Sequence, residues 1–192
     1  MPLNKKIVLG VVALPVLGAS LFLLVVFGGL APVAATDEHS ALVRWSLHQS
    51  MVSAVRRQAR EVSKPAGLDL HDRALAEKAF GHYSAACTTC HGAPGRGADP
   101  WMVTSPQAPL LVQTASKWSD EELYWIIKNG LKMTGMPALG PTHKDEHLWA
   151  IAAFVRQLPS MTAAEYQQMA RRAQPSGAMH HAAALTEVPG AE

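Results

Sequence analysis

Cysteine is nearly absent from this chain: Cys87 and Cys90 are the only two among 192 residues. A disulfide network and a zinc site built from four thiolates are thereby excluded. Charge of one sign is also missing. Outside Lys5 and Lys6, fifteen basic residues stand against fifteen acidic ones, so no polyanionic partner is implied. The chain has no glycine-rich phosphate loop and no basic stretch interleaved with aromatics, which leaves nucleic acid and nucleotide roles without support. No strand pattern competes with the helical periodicities of the chain.

What is present is the pentad Cys87-Thr88-Thr89-Cys90-His91. Cys-x-x-Cys-His is the attachment signature of haem c: each thiol can add across a haem vinyl group, and the adjacent histidine falls beneath the porphyrin to bind iron. Three other uses of the pair are open. A thioredoxin-like dithiol needs a strand before it and a helix starting at the first cysteine, whereas residues 75–86 are helix formers. Zinc could be held by Cys87, Cys90 and two of the nine histidines, but a histidine directly beside Cys90 makes that geometry awkward. A plain disulfide is the third. Haem is the reading adopted.

Residues 7–35 contain no charge, and residues 7–30 are almost wholly Val, Leu, Ile, Phe, Ala and Gly. That length suffices to cross a bilayer as a helix. Val33-Ala34-Ala35 resembles the small-residue site at which a secretory signal is cut, but the apolar run far exceeds the roughly 7 to 15 residues of a signal. An uncleaved anchor is therefore expected. Lys5 and Lys6 precede the run while Asp37 and Glu38 come after it, which places the N-terminus in the cytoplasm and the remainder on the exported side. Covalent haem attachment takes place on that side.

Four segments are read: a membrane anchor over 1–36, an amphipathic spacer helix and linker over 37–67, a haem domain over 68–162, and a short helix with a disordered tail over 163–192. The spacer starts at Asp37 or Ser40 and runs to about Ser63, with Leu42, Trp45, Val52, Val55, Ala59 and Val62 along one stripe. In the haem domain the pattern predicts helices over 72–86, 121–129 and 145–158. The second opens on a capping box at Ser119 to Glu122 and stops at Gly130. Leu148, Ile151, Ala152 and Val155 share one face of the third. Residues 91–117, rich in Gly and Pro, suit an irregular loop. A domain of fewer than about a hundred residues has a marginal core of its own, so a macrocycle would supply missing apolar mass and the apoprotein is expected to be largely unfolded.

These residues together resemble the small class I c-type cytochromes, in a membrane-anchored bacterial form with one haem. The resemblance covers about residues 68–161. It rests on Phe80 and Tyr83 before the pentad, the pentad itself, Asn129-Gly130 with Gly135-Met136-Pro137, and the run from Leu148 to Pro159. It implies an all-α, cytochrome c-like domain around haem, preceded by one transmembrane helix. It further implies thioethers from Cys87 and Cys90, His91 as the proximal iron ligand, and a methionine late in the domain as the distal one. Met136, in a loop flanked by Gly and stiffened by Pro, is the choice; Met133, His143 and His147 are alternatives. A thioether is soft and neutral, and so favours ferrous over ferric iron.

In this family a proline carbonyl after the pentad commonly accepts the proximal imidazole's free N–H, for which Pro94 or Pro100 is available. Trp118 and Tyr124 are read as haem contacts, by packing on the porphyrin or by hydrogen bonding a propionate. Phe80, Gly81, Trp149 and Phe154 are read as packing positions where the first and last helices cross.

The function implied is one-electron transfer, with no enzyme activity of the chain's own, at the periplasmic face of a bacterial inner membrane. Partners of that kind are a quinol-oxidising complex, a periplasmic dehydrogenase or a terminal oxidase. A haem-based catalyst or sensor with a labile distal ligand, and a haem subunit with a structural or assembly role in a larger respiratory complex, are the other readings. Met179-His180-His181 in the tail is read as a solvated segment that could also bind a soft metal.

Overall fold

A computed structural model describes residues 5–30 and 33–173. The chain divides into two compact units, Met1–Glu38 and His39–Glu192. The expected disordered tail with Met179-His180-His181 lies outside the described residues.

The first unit contains helix α1, Lys5–Phe27. Its stretch Leu9–Phe27 is long and apolar enough to cross a membrane, and leucines, valines and phenylalanines are exposed around it. A helix apolar on every side has no solvent-facing stripe and is suited to lipid. It fits a single-pass anchor.

The second unit is helical, and its described residues hold no strand beyond an isolated bridge between Ala93 and Arg96. Its first helix, α2, spans Ala41–Ala59 with Ser40 as its N-cap, so it starts at the second of the two expected positions and ends before the expected Ser63. Only its C-terminal half packs: Val55 and Ala59 are buried and α2 rests on the later helix Asp120–Asn129, whereas Leu42 is 71% and Trp45 62% exposed. The predicted apolar stripe is thus divided between a covered and an open half.

The region predicted as one helix over 72–86 is instead a succession of short turns. Helix α3, Arg73–Glu77, is capped by the Asp72 carboxylate, which accepts from the Ala74 N–H. Helix α4, Phe80–His82, runs through a π-helical turn, Tyr83–Cys87, into α5, Thr88–His91. A π turn inserts one residue into the helical register and rotates the residues beyond it. Phe80 and Tyr83 can therefore face the core while the pentad turns away at its own angle.

Between residues 91 and 117 the chain is irregular until α6, Leu111–Thr114, and a 3-10 turn, Ala115–Lys117. Helix α7, Asp120–Asn129, opens on the predicted capping box: the Glu122 N–H donates to the Ser119 hydroxyl, and the Ser119 N–H to the Glu122 carboxylate. Helix α8 spans Asp145–Gln157 and α9 Ala163–Ala173.

The core is organised on α8. Its residues from Leu148 to Val155 are all buried, because α3, α4 and α7 all pack around it. The sequence pattern assigned it a single apolar face; Trp149, Ala150, Ala153 and Phe154 fill the others. Phe80 meets Phe154 edge-on at 5.9 Å between ring centroids. Gly81 departs from expectation: it is exposed and a Cβ there would meet nothing within 4 Å. The helix crossing uses Ala79 and Tyr83 instead, both fully buried.

At the end of α8, Arg156 Nε donates to Asp120 at 2.9 Å, and its terminal nitrogens reach the carbonyls of Ala115 (3.3 Å) and Trp118 (2.7 Å). Lys64 donates to the other Asp120 oxygen at 3.0 Å. One carboxylate thus joins the linker after α2, the start of α7 and the end of α8.

Candidate functional site

The pentad is held by the residues on both sides of it. The Thr88 hydroxyl donates to the Ser84 carbonyl at 2.9 Å, closing the π turn onto α5. Gly92 ends α5 at φ 66, ψ −169, a conformation that essentially only glycine adopts. A Cβ there would stand 2.7 Å from the Arg96 carbonyl oxygen. The chain then folds into a tight turn in which Ala93 and Arg96 exchange backbone hydrogen bonds. Tyr83, wholly buried, donates its hydroxyl to the Gly92 carbonyl at 2.8 Å. Burial pushes its phenol pKa up, so it remains a donor at any physiological pH.

His91 Nδ1 lies 2.8 Å from the carbonyl oxygen of Pro109. The accepting proline is therefore Pro109, and not Pro94 or Pro100. Pro94 is buried in the turn after the pentad and Pro100 is exposed, whereas the loop returns to the histidine eighteen residues on. With Nδ1 donating to a carbonyl, the imidazole presents Nε2 as its lone-pair nitrogen, the form in which histidine binds a metal. Burial lowers the His91 pKa, and the Pro109 bond opposes that only in part, which also favours the neutral ring.

Cys87 and Cys90 are free thiols, each half-buried. Burial, and secondarily Cys90, push the Cys87 thiol up to about 11. That is opposite to the depressed pKa of a catalytic dithiol.

Met136 is half-buried in the loop between α7 and α8. Its N–H donates to the Thr134 hydroxyl at 3.1 Å and its carbonyl accepts from the Leu131 N–H at 3.2 Å. Two further bonds, from Leu139 to the Ile127 carbonyl (3.2 Å) and from Gly140 to the Lys128 carbonyl (2.8 Å), tie the loop's far end to α7. Gly130 has φ +64, and a Cβ on it would come within 2.7 Å of the backbone at Met136, Pro137 and Ala138. Met133, by contrast, is 89% exposed.

Trp118 is half-buried against the core and its carbonyl is taken by Arg156. Tyr124 is buried, stacks on Trp149 at 4.0 Å, and accepts from Lys128 Nζ at 3.0 Å. Lys128 also donates to Asp145 at 2.8 Å. His143 and His147, the alternatives to Met136, lie against the ring of His82. Sequence reasoning missed Pro109, whose signal was only its place in a proline-rich loop, and His82, which carries no local motif.

The helical domain with this pentad and this methionine loop is a cytochrome c-type domain. Residues 74–155 match the family model described as cytochrome C oxidase, cbb3-type, subunit III. The match supports a c-type cytochrome of class I and a c-type haem electron-transfer role for this domain, and the N-terminal apolar helix fits a membrane anchor. No curated protein and no solved structure matches it. The class implies haem c. The donor set fits that group: a neutral imidazole fixed through Nδ1, two unpaired thiols, and a thioether in a constrained loop.

Proposed function

We propose that the chain is a mono-haem electron carrier on the exported face of a bacterial inner membrane. Cys87 and Cys90 form the thioethers, His91 is the proximal ligand and Met136 the distal one. The observation that carries this reading is the bond between His91 Nδ1 and Pro109, which leaves a lone pair on the other imidazole nitrogen of the residue that follows Cys90 in the chain.

When bound, haem c supplies a one-electron ferric–ferrous couple. The chain's own work is positional and electrostatic. The Pro109 carbonyl orients His91 and raises its basicity. Gly130 and Thr134 hold the loop that offers the Met136 sulfur, whose softness favours the reduced metal. Trp118 and Tyr124 contribute apolar contact to the porphyrin, and the Tyr124 hydroxyl accepts from Lys128. If His91 and Met136 both held the iron, no ligand position would be left for a substrate, and the chain would act as a carrier rather than an enzyme. The uncleaved anchor confines it to the membrane plane and so raises its effective concentration near partners.

The family description favours a second reading in which this carrier serves as a subunit of a membrane respiratory complex, with a terminal oxidase as acceptor and a quinol-oxidising complex or periplasmic dehydrogenase as donor. Removing residues 1–63 should then abolish co-purification of those partners, whereas a free carrier keeps its redox behaviour and loses only membrane attachment.

The decisive experiment is an absorption spectrum of the denatured protein with an intact mass of the same sample, after expression in cells that mature c-type haem. A mass larger than the polypeptide by one haem is expected. A mass equal to the polypeptide overturns the proposal. Carbon monoxide should leave the native spectrum unchanged; a change would favour a haem sensor or catalyst.

A further inference from the structure

Three histidines that the haem reading does not use come together at one place. His82 ends α4, His147 lies in the first turn of α8, and His143 sits in the loop between Met136 and α8. One ring nitrogen from each lies within 4.8 Å of the other two. The rings of His82 and His143 are 4.8 Å apart between centroids and nearly perpendicular, those of His82 and His147 are 5.2 Å apart, and those of His143 and His147 are 5.4 Å apart and nearly parallel.

Two details point this cluster toward a cation. His82 Nε2 is buried and has no hydrogen-bond partner, and a buried polar atom left unpaired is unfavourable unless something binds it. His143 Nδ1 lies 3.2 Å from the Leu139 carbonyl and 2.8 Å from the Thr142 hydroxyl. Donation to that carbonyl puts the proton on Nδ1 and leaves Nε2 as a lone pair. A ligating histidine is ordinarily fixed by its other nitrogen in this way. All three groups are half-buried, so a cation can enter from solvent while the imidazoles remain partly shielded.

We propose that His82, His143 and His147 form a binding site for a divalent transition-metal cation of zinc type, with water in the fourth position. Three neutral imidazoles suit a borderline-soft ion that accepts tetrahedral geometry, and ions that need all-oxygen shells do not fit them. The site is separate from the proposed haem ligands and does not depend on them. It draws its ligands from helix α4, the loop that carries Met136 and the start of α8, so an ion there staples the methionine loop to the helix preceding the pentad.

The test is equilibrium dialysis of the full-length, haem-loaded protein in detergent against zinc chloride, with metal content measured by mass spectrometry. A variant lacking His180 and His181 is dialysed alongside. One zinc per chain is expected in both. His82→Gln and His143→Gln should each weaken binding at least about tenfold, since even an outer partner of a metal ligand is worth that much. Zinc-edge absorption spectroscopy should show about three imidazoles at roughly 2.0–2.1 Å.

His143 is in a loop, and circular dichroism of its variant separates loss of a ligand from loss of fold. If His82→Gln fails to fold, His143→Gln carries the same reading. The proposal is overturned if no zinc binds, if the tail variant loses the zinc, or if the triple variant at 82, 143 and 147 keeps one zinc per chain.

Discussion

The hydroxyl of Tyr83 donates to the carbonyl of Gly92 at 2.8 Å, so one buried side chain reaches from the residue four before Cys87 to the residue just after His91. This bond spans the whole pentad and fixes its exit relative to its entry. Tyr83→Phe keeps the ring packed against Phe154 and removes only the donor, leaving the Gly92 carbonyl unpaired. The expected cost is about 1–3 kcal/mol, read by urea denaturation of the haem-loaded protein. Unchanged stability would show that water replaces the phenol.

Glycines at two positions should behave in opposite ways. Gly130→Ala places a Cβ 2.7 Å from three backbone atoms at a positive φ, and the expected destabilisation is about 1–3 kcal/mol. It should also shift the Met136 loop and weaken the far-red ferric band that reports methionine ligation. Gly81→Ala, in a helix with open space around it, should stabilise by about 0.5–1 kcal/mol. Denaturation midpoints of the two variants measure both effects, and a reversal of the two outcomes would refute this packing.

Burial alone would raise the Asp120 carboxyl, but Lys64 and Arg156 outweigh it and hold the group below the ordinary carboxylate range. A pKa lowered on folding contributes stability above the unfolded value, about 3.9 for aspartate, and that contribution is lost as pH falls through the lower folded value. Asp120→Asn should therefore cost about 1–3 kcal/mol near neutral pH. The gap between wild type and variant should narrow below about pH 4. Denaturation curves taken at several pH values measure it, and a gap that widens in acid contradicts the assignment.

Pro109 supplies a carbonyl that any residue could supply, yet its ring holds that carbonyl in place. Pro109→Ala should cost about 0.4–1 kcal/mol through the unfolded chain. By loosening the bond to His91 it should also lower the imidazole's basicity and raise the reduction potential. A potentiometric titration that finds the potential unchanged or lower would remove Pro109 from the proposed site.

Much of this architecture was legible in the sequence because it is local. The pentad, the capping box at Ser119, the stop at Gly130 and the apolar anchor are each written within a few neighbouring residues, and each can be read without knowing the fold. Features set by chain crossing could not be read that way. Burial of α8 on every side depends on how many elements surround it, and periodicity assigns only one face. The π turn at Tyr83–Cys87 arises from the conflict between core packing and pentad orientation. Pro109 approaches His91 only because an irregular loop folds back, and His82 meets His143 and His147 only when α4 lies beside the start of α8.

The segment from Leu131 to Gly140 is pinned to α7 at its far end, through Ile127 and Lys128, and closed on itself at its near end through Met136. A hinged flap with two fixed points can lift as a single piece while the helices beneath stay intact. Breaking a handful of backbone bonds frees it, fewer than global unfolding requires, so the sulfur of Met136 belongs to a unit that can open locally.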